Sequence, residues 1–324
     1  MSFKKIEIDQ LLNVKHVCEK KQFSYLLDAF QRKYKELYHD TDFLNRSVFL
    51  NNDNQIYIPK TLNKKTKKYS FYGHPIEIFS KNFIPKIDYL KIQDYFKKIK
   101  SEKLFKFQIK YEQNLINKKI EKVEQVEQVI NEIYIDLSKN IDEIKNNFSS
   151  TLRNEIKKDY ENTKFEIIDK KNYKKNEILE MMNFHIKIAG RVTRSEQSWK
   201  QNEEMILNDK GFLIKVTHKD KLISFSFFFH NNFSCHYSSS VADREYYRQI
   251  RNIHHKSLWL AIKHAKTICK FFNVGSTTIY SKRNISDKEK NIEKFKSKFK
   301  GIDLKFVILN EFPEYDFYKN FLHI

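Results

Sequence analysis

Apolar and polar positions follow two periods along this chain, and from about residue 164 they resolve into a clear succession of elements. "KFEII" (164–168) reads as a short strand. In "NEILEMMNFHIKIAG" (176–190), Ile178, Met181, Met182, His185, Ile188 and Ala189 share one side of a 3.6-residue repeat, predicting a helix that ends at Gly190 as its C-cap. A second helix opens at Ser195, where Glu196 and Gln197 suit a first turn. Three strand-like runs follow, "GFLIKVTH" (211–218), "LISFSFFF" (222–229) and "FSCHYSSS" (233–240), with short polar connections that predict an antiparallel meander. Leu258, Ile262, Ala265, Cys269 and Phe272 then recur at helical spacing, and "STTIY" (276–280) reads as a strand. "SDKE" (286–289) is a capping box with Ser286 as N-cap and Glu289 three residues on, and "DLKFVIL" (303–309) is the last strand.

The first half echoes this order more loosely. A helix is expected over 22–38, strands at 47–52, 55–60 and 68–73, a helix near 88–100 and a strand at 104–109. The charge-dense "KKIEKVEQVEQV" predicts a solvated helix over 113–130 with Ile116, Ile120, Val123, Val126 and Ile130 inward, followed by a strand at 132–137. Meander, helix, strand, helix, strand thus occurs twice. The expected division is 1–137, a linking polar helix from Ser138 to about Tyr160 within 138–163, and 164–324.

Composition narrows the classes. The chain has 324 residues, 40% hydrophobic and 15% aromatic, which is material for a substantial core and not a disordered polyelectrolyte. No signal-peptide pattern opens it, and its longest apolar run is too short to span a bilayer. Cys18, Cys235 and Cys269 are odd in number and widely spaced, as reduced cytoplasmic thiols are. The formal charge of +20 points to an anionic partner, although lysines spread along the whole chain are mostly solvated faces. The nine arginines say more, because six lie between 191 and 283: Arg191, Arg194, Arg244, Arg248, Arg251 and Arg283. Arg248, Arg251, His254, His255 and Lys256 crowd the turn before an apolar-striped helix, where free N–H groups and the dipole favour anions. That turn reads either as an anion cradle or as surface punctuation.

The order of elements resembles that of the GNAT acyltransferases, and its doubled form resembles the FemAB-like acyl and aminoacyl transferases. "SSTLRNEIKKDY" (149–160) is similar to the basic helix opening the second half in that family, "LWLAIKHAK" (258–266) to the helix after the central strand, and "SDKEKNIEKFKSKFKG" (286–301) to the closing helix of members associated with glycan biosynthesis. The resemblance covers most of 46–310, most clearly after 148. It implies an α+β fold of two tandem GNAT-like halves, each a mostly antiparallel mixed sheet flanked by helices. The implied activity is N-acyl transfer from acyl-CoA or an acidic acyl carrier protein to the amine of an amino sugar or nucleotide-linked glycan precursor. Aminoacyl-tRNA-dependent transfer is the alternative, and a non-catalytic basic RNA- or carrier-binding module is a third reading. One departure is plain. No glycine occurs from 212 to 274, so the glycine-rich turn that wraps a coenzyme diphosphate is replaced by bulky cations.

Strand alternation places His236, Ser238 and Ser240 on one face and Tyr237 and Ser239 on the other. His236 can be a base or a structural histidine, and Ser238 can donate to an oxyanion. Asp243 can take the amine proton, and Tyr280 can protonate a leaving thiolate or simply pack. Arg191 and Arg194, with Tyr237, Ser240, Tyr72 and His74, form the expected acceptor side, the arginine pair suiting a diphosphate. No metal-site spacing occurs.

Overall fold

In the computed structural model, residues 4–7, 43–51, 56–63, 69–70, 75–80, 83–99, 103–109, 124–231, 233–250 and 253–323 are described. A small antiparallel sheet holds β1 (Lys4–Glu7), β2 (Phe43–Asn51), β3 (Ile56–Asn63) and β4 (Tyr69–Ser70) in that order, with β5 (Phe79–Ser80) beside β3. Helix α1 (Lys86–Lys97), β6 (Phe105–Ile109) and β7 (Val126–Asp136) follow. Two short helices, α2 (Ile141–Asn147) and α3 (Ser150–Lys157), lead to β8 (Thr163–Ile168). Next come α4 (Glu177–Ala189), α5 (Glu196–Leu207) and the meander β9 (Gly211–His218), β10 (Lys221–His230) and β11 (Ser234–Ala242). The chain continues through α6 (Arg244–Gln249), α7 (Ile253–Ala265), β12 (Phe271–Ser281), α8 (Asp287–Lys296), β13 (Ile302–Leu309), α9 (Tyr315–Phe321) and β14 (Leu322–His323).

The α+β class and the mostly antiparallel sheet are as the sequence implies. Nine strands form one sheet in the order β14-β6-β13-β7-β12-β11-β10-β9-β8, so β6 and β7, from before the link, pair with β13 and β12 from after it. Every neighbouring pair is antiparallel except β11 and β12.

Two helical expectations are corrected. Residues 126–130 are strand, not the end of a helix: Val126, Val129, Ile130, Ile133 and Ile135 are β-branched, and hydrogen bonding to β12 and β13 on both sides outweighs the helical look of the Glu/Gln spacing. The expected helix over 138–160 is two helices, because Asn140 caps α2 and Ser149 caps α3, with Phe148 extended between them. Helix α7 stops at Ala265, so Cys269 lies in the turn beyond it and Phe272 in β12. The helix expected over 22–38 lies outside the described residues.

Alternation along the meander divides the core. Phe212, Ile214, Val216, Phe228 and Cys235 pack with α3 and α7 on one face of the sheet. Leu213, Phe225, Phe227, Phe229 and Val241 pack with α4 and α5 on the other. A third cluster joins α1, β6, β7, β13 and α9, with Tyr89 stacked on Tyr318 at 4.5 Å.

Candidate functional site

Strands β11 and β12 run side by side only through Ser234–Phe271, Cys235–Phe272 and His236–Asn273. Beyond those pairs β11 continues to Ala242 and β12 to Ser281 with no register between them, so the sheet opens. Unpaired strand edges carry backbone donors and acceptors that can hold an extended ligand arm.

A bulge shapes the β11 side. Phe227 pairs with Ser239 and Phe228 with Tyr237, which leaves Ser238 as the extra residue. The bulge overturns the expected alternation: Tyr237 and Ser240 lie together, hydroxyl to hydroxyl at 2.5 Å, while His236 stacks on Phe229. The Ser239 hydroxyl is buried without a hydrogen-bond partner. His236 is buried, and its Nε2 lies 2.6 Å from Ser234 Oγ. That is the setting of a structural histidine. Asp243 caps α6, its carboxylate accepting from the Glu245 amide at 3.1 Å. Tyr280 packs with the third cluster, built on residues such as Tyr89, Phe96 and Val307.

The cation-rich turn is corrected in part. Ile250 N–H donates to Tyr246 O at 2.8 Å, closing α6 just before the turn read as an anion cradle. Arg248 belongs to α6, and Arg251 lies outside the described residues. His255 is buried, stacked on Phe295 at 4.4 Å, with Nδ1 2.7 Å from a Glu155 carboxylate that Lys298 also holds. Lys256 donates to Lys158 O at 2.6 Å and to Asp159 at 2.9 Å. His255 and Lys256 therefore dock α7 on α3 and do not line an open cradle. His254, on the same turn, is half-buried.

Arg191 and Arg194 are not a pair. Arg191 is exposed, whereas Arg194 is buried with its guanidinium 3.3 Å from the centre of the Trp199 ring. Tyr72 and His74 lie outside the described residues. An open cavity of about 430 Å³ lies on α4 and reaches Leu222, beside the far end of β11, since Ser224 pairs with Ala242. Leu179, Phe184, Glu180 and Lys187 contribute to its wall. Among the described residues no helix is long and apolar enough to cross a membrane, and no metal-binding group of three or more His, Cys, Asp or Glu occurs.

Sequence reasoning missed Asn273 and Gly275 on β12 and Lys296 beside them. Asn273, at the last paired position, accepts the Gly275 amide on its own Oδ1 at 2.6 Å, where the β12–β7 register shifts. Gly275 has φ +101°, and the Lys296 ammonium packs where its side chain would be. Lys296 Nζ donates to Ser276 O at 2.9 Å, just past the last β11 pair. Burial pulls the Lys296 amine down to about 8, with Glu132 opposing the shift. The signal available in the sequence was Gly275 itself, the first glycine after Gly211. Gly275→Ala is expected to destabilise the fold by more than about 1 kcal/mol and to displace Lys296, seen as a lower melting temperature.

Desolvated histidines make stability acid-sensitive. Burial lowers His230 and His254 to about 4, and burial with Lys298 beside it lowers His255 to about 3. The unfolded chain binds these protons near pH ~6.5 and the fold does not. Stability is therefore complete above that pH and is lost as pH falls toward 4, a slope that urea unfolding at stepped pH should resolve.

No family model matches the chain, and no curated protein matches it by sequence. Among solved structures, a conserved protein of unknown function from Bacteroides thetaiotaomicron superposes with a TM-score of 0.54 at 12% identity, over 96% of this chain and 100% of that one. A tandem GNAT protein from the clavulanic acid biosynthesis pathway aligns over 96% of this chain and 99% of that one at 8% identity, with a TM-score of 0.44. FemX superposes with a TM-score of 0.51 at 12% identity, over 98% of this chain and 99% of its own. At such identities the likeness is one of fold: the chain shares the fold of FemX over nearly its whole length.

Proposed function

We propose that this protein transfers an acyl or aminoacyl group to an amine, with the donor's arm laid between β11 and β12. The observation that carries this reading is the opening of the sheet after His236–Asn273, with a bulge on one side and a lysine on the other. The acceptor amine attacks the acyl carbonyl carbon. A C–N bond forms, the bond to the donor's sulfur or oxygen breaks, and the amine's proton passes through solvent to that sulfur or oxygen, which departs as thiol or alcohol. Lys296 supplies the cationic donor for the oxyanion, which the ground state does not need. The acceptor enters over the α4 cavity, where Lys187 contributes a cation.

Bulky residues at 244–256, where no glycine occurs, hinder backbone wrapping of a diphosphate, which favours a donor carried on a macromolecule over free coenzyme A. An acyl carrier protein and an aminoacyl-tRNA are both acidic, and the charge of +20 suits either. The amino-sugar acceptor rests on the resemblance of the closing helix alone. On this reading the division at 138–163 assigns the donor chemistry to the second half.

The test is a mass-spectrometric transfer assay on nuclease-treated protein. Acetyl-CoA, an acyl carrier thioester and aminoacyl-tRNA serve as donors, and nucleotide amino sugars and a peptide amine as acceptors. The expected result is an acceptor gaining the acyl mass. Absence of transfer from every donor, with RNA or carrier binding that simply fades with salt, would leave the binding-module reading.

A further inference from the structure

A cluster of charges is buried where the first-half strands meet β12. Lys106 on β6 lies 2.6 Å from Glu132 on β7 and 3.2 Å from Glu77, with its ammonium 4.1 Å from the centre of the Phe306 ring. Glu77, Lys106 and Glu132 are each at most 5% exposed. The other Glu132 oxygen accepts from the Tyr134 hydroxyl at 2.8 Å and from Asn273 Nδ2 at 3.4 Å. Asn273 in turn holds the Gly275 amide, and Gly275 seats Lys296. An uninterrupted path thus runs from Glu77 to the opening of the sheet.

We infer that Glu132 is a positioning residue for the donor groove, one oxygen held by Lys106 and the other fixing Asn273, so that it sets the Gly275 kink and the seat of Lys296. This rests on the donor reading of the β11–β12 opening, but its geometry does not. A carboxamide at 132 could still contact Asn273 but would carry no charge toward Lys296, whereas alanine at 273 would free the Gly275 amide and leave the charge in place. The two functions of Glu132 are therefore separable. Of the charged groups near Lys296, the Glu132 carboxylate on β7 acts on it through its charge, Lys106 and Glu77 bracket Glu132, and Lys298, two residues on, is held by Glu155.

The experiment needs no donor. Lys296 reactivity is followed by trace amine labelling across pH in the full chain, with mass-spectrometric quantification of its peptide, and the Gly275 amide by hydrogen exchange. In Glu132→Gln the Lys296 labelling curve is expected to move about one pH unit lower, roughly fivefold faster labelling at pH 7. In Asn273→Ala the curve should stay and Gly275 exchange should quicken by about tenfold or more. A folded Glu132→Gln protein whose Lys296 curve superimposes on the wild type would overturn the inference. So would Asn273→Ala with unchanged Gly275 exchange, which decides the matter even if Glu132→Gln fails to fold. If both readouts respond and no donor binds, it is the functional reading that fails.

Discussion

Lys106→Met is expected to cost the fold about 3–5 kcal/mol, because it leaves the Glu77 and Glu132 carboxylates buried without their shared ammonium. In thermal unfolding this corresponds to a loss of roughly 10 °C. Methionine fills most of the lysine's volume over Phe306, so the loss is electrostatic and not a cavity. That attribution has its own check: adding Glu77→Gln and Glu132→Gln to Lys106→Met should recover much of the stability, since neutral amides tolerate burial better than unpaired charges. A Lys106→Met protein within about 1 kcal/mol of the wild type would mean that the cluster is not closed to water.

Lys296→Met carries the largest expected effect on activity. Loss of one preorganised donor to an oxyanion typically lowers the rate by about 10²–10³, or about 3–4 kcal/mol of barrier. Stability should hardly change, because the half-buried amine makes one main-chain hydrogen bond and is itself disfavoured as a cation by burial. The pH dependence has a definite sign. If the ammonium is the active form, transfer falls as pH rises through about 8, and this alkaline limb is absent from the residual activity of Lys296→Met. A loss below about threefold would remove Lys296 from the chemistry.

Much of the fold was legible because the second half is locally consistent. The Gly190 and Ser286 caps, the Ser195 N-cap and the alternating meander each agree with their neighbours, and the structure has them all. Val126–Asp136 was misread at its start because its strand character comes from two partners far away in sequence, which no local period records. The site was less legible. A single bulge at Ser238 changed which hydroxyls share a face, and a bulge has no period to detect. Cations clustered in sequence at 248–256 include His255 and Lys256, which the structure spends on helix docking. Lys296, Asn273 and Glu132 come from three separate elements and meet only after the sheet forms.

Acyl transfer by this fold requires that the opening between β11 and β12 receive the donor. Hydrogen exchange of the full chain, with and without each donor of the transfer assay, reads this directly. With the true donor, amides at 238–242 and 276–281 should exchange about tenfold more slowly while the outer strand β8 is unchanged. Donor binding or turnover with no slowing in those two segments would contradict the account.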